Sequence, residues 1–354
     1  NTLNDLAPEK IKKIKISEIN VGMGMYSASL SRKIIDKYNA PYEDPTGLMD
    51  YLKTEPYIFN ESNHAYNPPA KYPSSFLSLG TDLKSQIGGP DGFFFGDLKI
   101  QSKSEILFNR KLSLITVLNY GLINNLDSLK LSSDSILPHV RTDIVKYLQN
   151  SKDFAIERMQ LNYYDKLSSS LYYKLSGGIF ESMFNGFGAE FLYRPHNEDY
   201  GIGFELWQVQ QRAYNQMFGT RDYQTLTGHV SLYYKEPRSN ILIHLKGGKY
   251  LAKDSGFTFD ASRLFRSGLR IGAFFSLTDI SEEEFGEGSF DKGIYFWIPV
   301  ELFSRKYFKK TFGWGLRPLT RDGAQSLTYG YPLWGVTDGS NDKSIRDGIQ
   351  DFYE

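Results

Sequence analysis

Leu269-Arg270-Ile271-Gly272-Ala273-Phe274-Phe275-Ser276-Leu277 alternates apolar residues with a second, mixed set. In an extended chain, successive side chains point to opposite faces. Leu269, Ile271, Ala273, Phe275 and Leu277 then share one face, and Arg270, Gly272, Phe274 and Ser276 share the other. Alternation with a period of two is typical of a strand whose faces meet different surroundings. The stretch therefore predicts a strand with one apolar face.

Segments of the same kind recur from about residue 74 onward, with no helical series of comparable extent between most of them. Their spans are 74–84, 93–107, 110–122, 156–166, 169–180, 186–195, 200–212, 223–235, 239–250, 256–265, 267–279, 291–301 and 309–319. Most reach the ~9–11 residues of a tilted transmembrane strand. Because only helices and closed barrels satisfy every backbone group in a bilayer, we predict an all-β fold, an antiparallel transmembrane β-barrel of about 12–14 strands.

The alternation also assigns the two faces. In residues 226–234 the even positions, such as Val230 and Leu232, would face lipid, and the odd positions, such as Thr227 and Ser231, would face inward. A polar interior suits water or a hydrated solute. A soluble two-sheet β-protein, whose polar face meets solvent, is the alternative interpretation of the same pattern.

The composition excludes several classes of function. The chain of 354 residues has no Cys and five His, so thiolate metal sites and disulfides are excluded and a zinc site has few ligands. Lys+Arg and Asp+Glu are both 41, which does not favour a nucleic-acid partner. No Gly-rich phosphate loop opens a helix, so no nucleotide cofactor is predicted. With no Cys and no third His near His229 and His244, no metal is predicted either. Aromatic residues make up 15%, as two interfacial girdles of a barrel would require.

The chain divides into three predicted parts. Residues 1–70 are expected to form a small α+β domain with a Pro-rich linker, residues 74–325 the barrel, and residues 326–354 a polar C-terminal tail. The first residues do not resemble a signal peptide, which outer-membrane delivery requires, so a processed or partial chain is expected.

Three groups of polar residues are candidates for contact with a ligand in the lumen. His139 and Arg141, with Asp143, lie in the long connection 123–155 and could bind sugar hydroxyls, or could belong to the start of a helix. Arg317, Arg321 and Asp322 follow the last strand. The two arginines could bind an anionic sugar, or could pair with inward carboxylates such as Glu190 or Glu205, which are themselves candidates for contact with a glycan in the lumen.

His229 and His244 form the third group, on neighbouring strands, where they could approach each other across the ladder. The acidic run Glu282, Glu283, Glu284 and Glu287 could bind a divalent cation or form a solvated turn. No nucleophile elbow is present, so no catalytic residues are predicted and the chain is not expected to be an enzyme. A Ser–His pair across two strands remains an open alternative.

Several stretches, in colinear order, carry a resemblance to a known family. They are Gly88-Gly89-Pro90, Leu137-Pro138-His139-Val140-Arg141-Thr142, Lys146-Tyr147-Leu148-Gln149-Asn150, Gly177-Gly178-Ile179-Phe180-Glu181-Ser182-Met183-Phe184, Gly188-Ala189-Glu190, Leu192-Tyr193-Arg194-Pro195, Thr227-Gly228-His229, Gly248-Lys249-Tyr250-Leu251-Ala252, Ser281-Glu282-Glu283-Glu284-Phe285-Gly286-Glu287-Gly288, Lys292-Gly293-Ile294-Tyr295 and Arg317-Pro318-Leu319-Thr320-Arg321-Asp322-Gly323. On these residues the chain resembles the C-terminal half of the YjbH-type (GfcD-like) outer-membrane proteins of exopolysaccharide and capsule gene clusters.

The resemblance implies a place in the bacterial outer membrane, with the N-terminal part in the periplasm. It implies a role in secretion or assembly of an extracellular polysaccharide, with periplasmic or outer-membrane partners of the same secretion system and the lipid bilayer as surroundings. A polar lumen would take a hydrated glycan. A barrel plugged by its own loop, acting as a structural or adhesion anchor, is the first alternative. An outer-membrane enzyme acting on lipid or glycan is the second.

Overall fold

The computed structural model describes residue 8 and residues 10–38, 45–60, 71–87, 91–130, 133–285, 289–300, 311–318 and 321–346. Its N-terminal part is a three-stranded antiparallel sheet in the order β1 (Lys13–Asn20), β2 (Met23–Ser31) and β3 (Lys53–Pro56). Helix α1 (Arg32–Tyr38) and a 3-10 helix (Pro45–Tyr51) connect β2 to β3. This small sheet confirms the predicted α+β fold. Residues 61–70 of the predicted linker lie outside the described residues.

The rest of the described chain is dominated by a thirteen-stranded sheet in which each strand is antiparallel to the next in sequence. Its strands are β4 (Ser74–Ile87), β5 (Phe94–Leu107), β6 (Leu112–Asn124), β7 (Phe154–Lys166), β8 (Leu171–Ile179), β9 (Phe184–Tyr193), β10 (Tyr200–Arg212), β11 (Thr220–Glu236), β12 (Ile241–Lys249), β13 (Ser255–Leu264), β14 (Arg270–Thr278), β15 (Asp291–Pro299) and β16 (Thr311–Leu316). The thirteen predicted segments correspond one to one to these strands, and their ends differ by a few residues. The predicted antiparallel β fold is therefore confirmed; residues 301, 309, 310 and 319 of the predicted strands lie outside the described residues.

The side chains of β11 follow the predicted faces. Thr227 and Ser231 are buried, at 1% and 5% exposure, whereas Val230 and Leu232 are 56% and 48% exposed. The same holds in β14, where Ser276 is buried and Phe275 is exposed. The outward face is thus apolar and the inward face polar, as the alternation predicts.

The two edge strands differ from the strands between them. Within the described residues, β4 pairs only with β5, and β16 pairs only with β15. Neighbouring residues of β4 are exposed on both faces, with Phe76 at 61% and Leu77 at 69%. All residues of β16 are likewise exposed. Most described side chains on both faces of these edge strands are therefore exposed.

Short helices lie in the connections. They are a 3-10 helix (Leu126–Ser128), α2 (Ile144–Asn150), α3 (Glu282–Phe285) and α4 (Leu333–Val336). Within the ranges given above, none of the helices has the length and apolar character needed to cross a bilayer.

The connections define two ends of the large sheet. We call the end that holds residues 125–153 the long-loop end. The opposite end holds the short connection 167–170 and contacts the small sheet, where Lys166 Nζ donates to the carbonyls of Gly24 (2.9 Å) and Tyr57 (3.3 Å). We call it the small-sheet end.

Candidate functional site: the occupied interior of the sheet

The inward face of the large sheet packs against residues 323–337, which we call the interior segment. Tyr329 packs on Trp207 of β10 with ring centroids 4.5 Å apart, and Trp207 packs edge-on against Phe180 at 5.3 Å. Leu333 in the same segment is fully buried. The predicted tail begins within this segment, and its residues 347–354 lie outside the described residues.

Four cations of the surrounding wall donate hydrogen bonds to backbone carbonyls of the interior segment. They are Arg141 before α2, Arg158 in β7, Lys174 in β8 and Arg194 directly after β9. The donor and acceptor residues, in order along the segment, are Arg141 and Ser326 (2.8 Å), Arg158 and Thr328 (3.3 Å), Lys174 and Gly330 (2.7 Å), Lys174 and Tyr331 (3.1 Å), and Arg194 and Trp334 (3.1 Å). We call these four side chains the cation row.

The wall also supplies an acceptor to the interior segment. Glu190, one of the predicted contact residues, is buried in β9, and its Oε1 accepts a hydrogen bond from Leu333 N at 2.9 Å. Glu190 lies opposite Lys174 on β8 and opposite Glu205 on β10. The wall therefore holds the uncharged segment by charged side chains that bind its backbone.

At the long-loop end, Asp322 joins the start of the interior segment to the long loop. Its Oδ1 accepts from the backbone N–H groups of Arg141 (2.7 Å) and Thr142 (3.0 Å), and its Oδ2 accepts from Thr142 Oγ1 (2.6 Å). Arg141 forms a two-pronged ion pair with Glu181, at 2.8 and 3.2 Å. The structure thus brings together Arg141 and Asp322, which lie far apart in sequence.

His139 and Asp143 form a second cluster at this end. His139 Nδ1 is 3.0 Å from Asp143 Oδ1, and Asp143 Oδ2 accepts from Tyr214 Oη at 2.7 Å. Burial alone would raise the pKa of the Asp143 carboxyl, but hydrogen bonds from Lys146, Tyr214 and His139 lower it to about 2. Burial likewise opposes charge on His139, yet its bonds to Asp143 and the Ser135 carbonyl raise the pKa of His139 overall.

Arg317 and Arg321 have different partners from the carboxylates suggested by the sequence. Arg317 pairs with Asp291 (3.2 Å) and donates to Gln325 (2.8 Å), and Arg321 pairs with the exposed Asp134 (3.1 Å). The prediction that Arg317 and Arg321 pair with Glu190 or Glu205 is wrong, because both of these carboxylates lie further along the interior. Leu319 and Thr320 of the predicted motif lie outside the described residues.

The two inward histidines do not meet. His229 lies opposite Gly248, whereas His244 lies opposite Tyr233, so the register of β11 and β12 separates them. His229 Nδ1 is 2.7 Å from Glu205 Oε1. The suggested approach of His229 and His244 was therefore wrong.

A Ser–His pair across two strands is present at His244. Its Nε2 is 3.1 Å from Ser231 Oγ, and its ring stacks on Tyr233, which stacks in turn on Trp334 of the interior segment. The bonds found for His244 within the described residues include no carboxylate that would orient the ring as in a catalytic triad. The stack links β11, β12 and the interior segment.

The acidic run begins helix α3. Ser281 N donates to Glu284 Oε2 (3.1 Å) and Glu284 N donates to Ser281 Oγ (3.2 Å), which is the reciprocal pattern of a capping box. Glu287 lies outside the described residues. The described ranges contain no group of three or more His, Asp or Glu arranged to hold a metal ion.

At the small-sheet end, the chain that follows the interior segment binds the small sheet. Asn20 Nδ2 donates to the carbonyl of Val336 at 2.8 Å. Arg346 donates to the carbonyls of Met49 (2.7 Å) and Leu52 (3.0 Å). The interior segment thus runs from the long-loop end to the small sheet.

Sequence reasoning identified Arg141, Glu190 and Asp322 but missed Arg158, Lys174 and Arg194. The alternation in β7 and β8 could have placed Arg158 or Lys174 on a face, but nothing local indicated their partners. The interior segment itself has no alternation and no charge, so it gave no signal of its position.

Comparison with known proteins agrees with the resemblance found in the sequence. The model of a family described as "Exopolysaccharide biosynthesis protein YbjH" matches residues 1–339. The chain belongs to the YjbH family. It is also 31% identical over 355 residues to "Uncharacterized lipoprotein YjbH" of Escherichia coli (strain K12), covering 97% of this chain and 49% of that protein. The chain of this YjbH-family member thus spans about half the length of that curated relative.

Two solved outer-membrane proteins are similar at a low level. "Salmonella typhi OmpF complex with Daunomycin" has a TM-score of 0.35 at 13% identity, covering 72% of this chain and 94% of that chain. "OmpT (in-vitro folded), an outer membrane protein of Vibrio cholerae" has a TM-score of 0.32 at 10% identity, covering 75% and 94%. Both TM-scores are below 0.5, so the fold assignment rests on the strands of the YjbH-family chain itself.

Proposed function

We propose that this chain is an outer-membrane β-barrel that takes part in the secretion or assembly of an exopolysaccharide. The observation that carries the proposal is the thirteen-stranded sheet with an apolar outward face and a polar inward face. A bilayer outside and hydrated groups inside are the surroundings that such a sheet requires. Membership of a family described by exopolysaccharide biosynthesis supplies the polymer class.

The uneven connections support an orientation. Outer-membrane barrels have short turns on the periplasmic side and longer loops outside. The small-sheet end carries short connections such as 167–170 and 237–240, whereas the long connection 125–153 lies at the other end. The small-sheet end would therefore lie in the periplasm, where the small sheet would meet partners of the secretion system. The long-loop end would then face the cell exterior.

In this conformation the interior segment occupies the space along the inward faces of β8, β9 and β10. Transport of a glycan through the lumen would therefore require the segment to move. Its described links to the wall cations are hydrogen bonds to carbonyls and side-chain oxygens, and ring contacts such as that of Arg194 with Trp334. Water or a glycan could replace these hydrogen bonds. We accordingly propose a gated barrel rather than a permanently open pore.

The proposal is tested by gene deletion together with conductance. The intact protein that carries this chain is expected to restore surface exopolysaccharide to a deletion strain and to show a low conductance in planar bilayers. A variant lacking residues 323–346, and separately Gly330→Ala, should raise the conductance. Folding of each variant is checked by heat-modifiable migration in gels. Unchanged polymer on the cell surface after deletion of the gene would overturn the proposed function.

A second candidate is a permanently plugged barrel that anchors the small sheet and its partners. The aromatic cluster of Trp207, Phe180 and Tyr329 favours it, because such packing is typical of a fixed core. Complementation of export by a protein that never conducts, with or without polymer present, would favour this anchor over the gated barrel.

We propose a role without catalysis in either case. The one Ser–His pair described above, Ser231 and His244, lies within the packed interior. Ser231→Ala is expected to leave polymer production unchanged, and loss of production by a folded Ser231→Ala protein would contradict this.

A further inference from the structure

The interior segment carries no charged side chain. Its sequence is Gly323-Ala324-Gln325-Ser326-Leu327-Thr328-Tyr329-Gly330-Tyr331-Pro332-Leu333-Trp334-Gly335-Val336-Thr337. The charged side chains that bind it lie outside the segment. They are six cations, Arg141, Arg158, Lys174, Arg194, Lys246 and Arg317, and three carboxylates, Glu190, Asp254 and Asp291. The segment therefore offers neutral acceptors where the wall offers full positive charges.

Burial makes this mismatch significant. Lys174 is fully buried and Arg194 is 4% exposed. Arg141 forms an ion pair with Glu181 at 2.8 Å, and Arg194 forms an ion pair with Asp338 at 3.5 Å. Among the described residues, no carboxylate oxygen lies within 4.0 Å of a side-chain nitrogen of Lys174 or Arg158, so neither cation forms an ion pair. Lys174 is bound by two carbonyls and lies over the rings of Tyr164 and Tyr329, so no carboxylate in direct contact compensates its buried charge.

An anionic ligand would supply that charge. A carboxylate in place of a carbonyl would turn each of these hydrogen bonds into an ion pair and would supply the missing negative charge. The carbonyls of Ser326, Thr328, Gly330 and Trp334 mark four positions along the lumen where a cation already points at an acceptor oxygen. A polymer carrying carboxylates could occupy the same positions.

We propose that the cation row is the binding path for an acidic polysaccharide and that the interior segment is an occupant which this polymer displaces. The inference rests on the proposed function and adds the charge class of the glycan. Lys174 and Arg158 are the strongest contributors because they have the least charge compensation. Glu190 is the opposing group, since it faces Lys174 across the ladder and would compete with a bound carboxylate.

The absence of Cys from the chain permits a direct measurement of displacement. Leu333→Cys introduces a single thiol at a fully buried position of the interior segment. The rate of its labelling by a maleimide is measured in detergent-solubilised, otherwise intact protein. The probes are oligogalacturonate, which carries a carboxylate on each sugar, and a neutral maltodextrin of the same length.

We expect oligogalacturonate to bind and to accelerate labelling, and maltodextrin to do neither. Lys174→Met and Arg158→Met should each weaken binding about tenfold, the equivalent of one charged hydrogen bond. Lys174→Arg should restore most of the affinity, and Glu190→Gln should increase it. Lys249→Met, at an exposed lysine of β12, is the matched control and should bind like the parent.

Equal binding of the acidic and neutral probes would overturn the inference, as would acidic binding that is insensitive to Lys174 and Arg158. Acidic binding without faster labelling would overturn displacement of the segment. Failure here is distinguishable from failure of the proposed function. If export is normal but oligogalacturonate does not bind, only the proposed ligand path is wrong. If deletion of the gene causes no export defect, the proposed function is wrong.

Discussion

Strands β8 to β11 and the edge strands β4 and β16 belong to one sheet, yet their inward faces differ. Lys174, Glu190 and Trp207 are buried because the interior segment covers them. Phe76 and Leu77 lie on opposite faces of β4 and both are exposed, and every residue of β16 is exposed. Strand formation therefore does not by itself bury an inward face. The difference teaches that inward residues of the sheet form a packed core only where the interior segment and the connections cover them.

The largest expected effect on stability compares a tryptophan of the covered strands with a tryptophan of an edge strand. Trp207→Ala should lower the free energy of unfolding by about 3–5 kcal/mol, because it opens a cavity against Phe180 and Tyr329. Trp314→Ala in β16 should cost about 1 kcal/mol, the contribution of its ring contact with Phe296. Urea unfolding from lipid vesicles measures both. Similar costs at the two positions would mean that the edge strand is as well packed as β10.

The outward faces provide a second test. The surrounding lipid, rather than the interior segment, should determine how much an arginine substitution there costs. Val230→Arg, near the middle of β11, is expected to cost about 2–4 kcal/mol in a bilayer. Gln224→Arg, on the same face towards the long-loop end, should cost about 0–1 kcal/mol because arginine near the interface remains hydrated. Equal costs in vesicles would contradict a depth-dependent apolar surrounding.

A glycine of the interior segment gives a smaller effect. Gly330 has φ of +61°, and a Cβ placed there would lie 1.9 Å from Arg158 Nη1. Gly330→Ala should therefore cost about 1–2 kcal/mol for the left-handed backbone and displace Arg158 from Thr328. Gly335→Ala is the control, because its Cβ would be 4.0 Å from Pro332 Cγ. Proteolysis of the segment should increase in the Gly330 variant only.

The smallest expected effect concerns pH at the long-loop end. The pKa of Asp143 is about 2 in the folded protein, below the value of about 4 in an unfolded chain. The unfolded state therefore takes up the proton first, so the stabilisation is complete above about pH 4 and is lost as the pH falls towards 2. Asp143→Asn should remove no more than about 1 kcal/mol at pH 7, since its cationic partners Lys146 and Arg221 are 49% and 35% exposed and solvent screens their charge.

Denaturation midpoints of the parent and of Asp143→Asn should converge as the pH is lowered through that range. Asp134→Asn, at an 86% exposed side chain that pairs with Arg321, is the control. A constant difference between the parent and Asp143→Asn from pH 7 to pH 2 would show that the carboxylate charge is not the cause.

The strands and their faces could be predicted because they depend on local alternation. Thr227, Ser231, Val230 and Leu232 each have the burial expected from their position in the period of two. Family membership could be predicted because colinear motifs are a property of the sequence alone. Neither prediction required knowledge of which distant residues meet.

The contents of the interior could not be predicted for the same reason. Lys174 and Gly330 are 156 residues apart, and no local pattern connects them. The separation of His229 and His244 depends on the register of two strands, which turns and bulges set. Arg317 was recognised as an ion-pair candidate, but its partner Asp291 follows from the pairing of β15 with β16.

The bond between Asn20 and Val336 joins residues separated by 316 positions. A chain that closes such a long loop loses much conformational freedom before any contact compensates for the loss, and mean sequence separation correlates with slow folding. The small sheet can form from nearby residues and can meet β7 through Lys166, but its bonds to Val336 and Arg346 require the chain beyond β16 to reach the small-sheet end. We therefore expect these bonds to form late in folding.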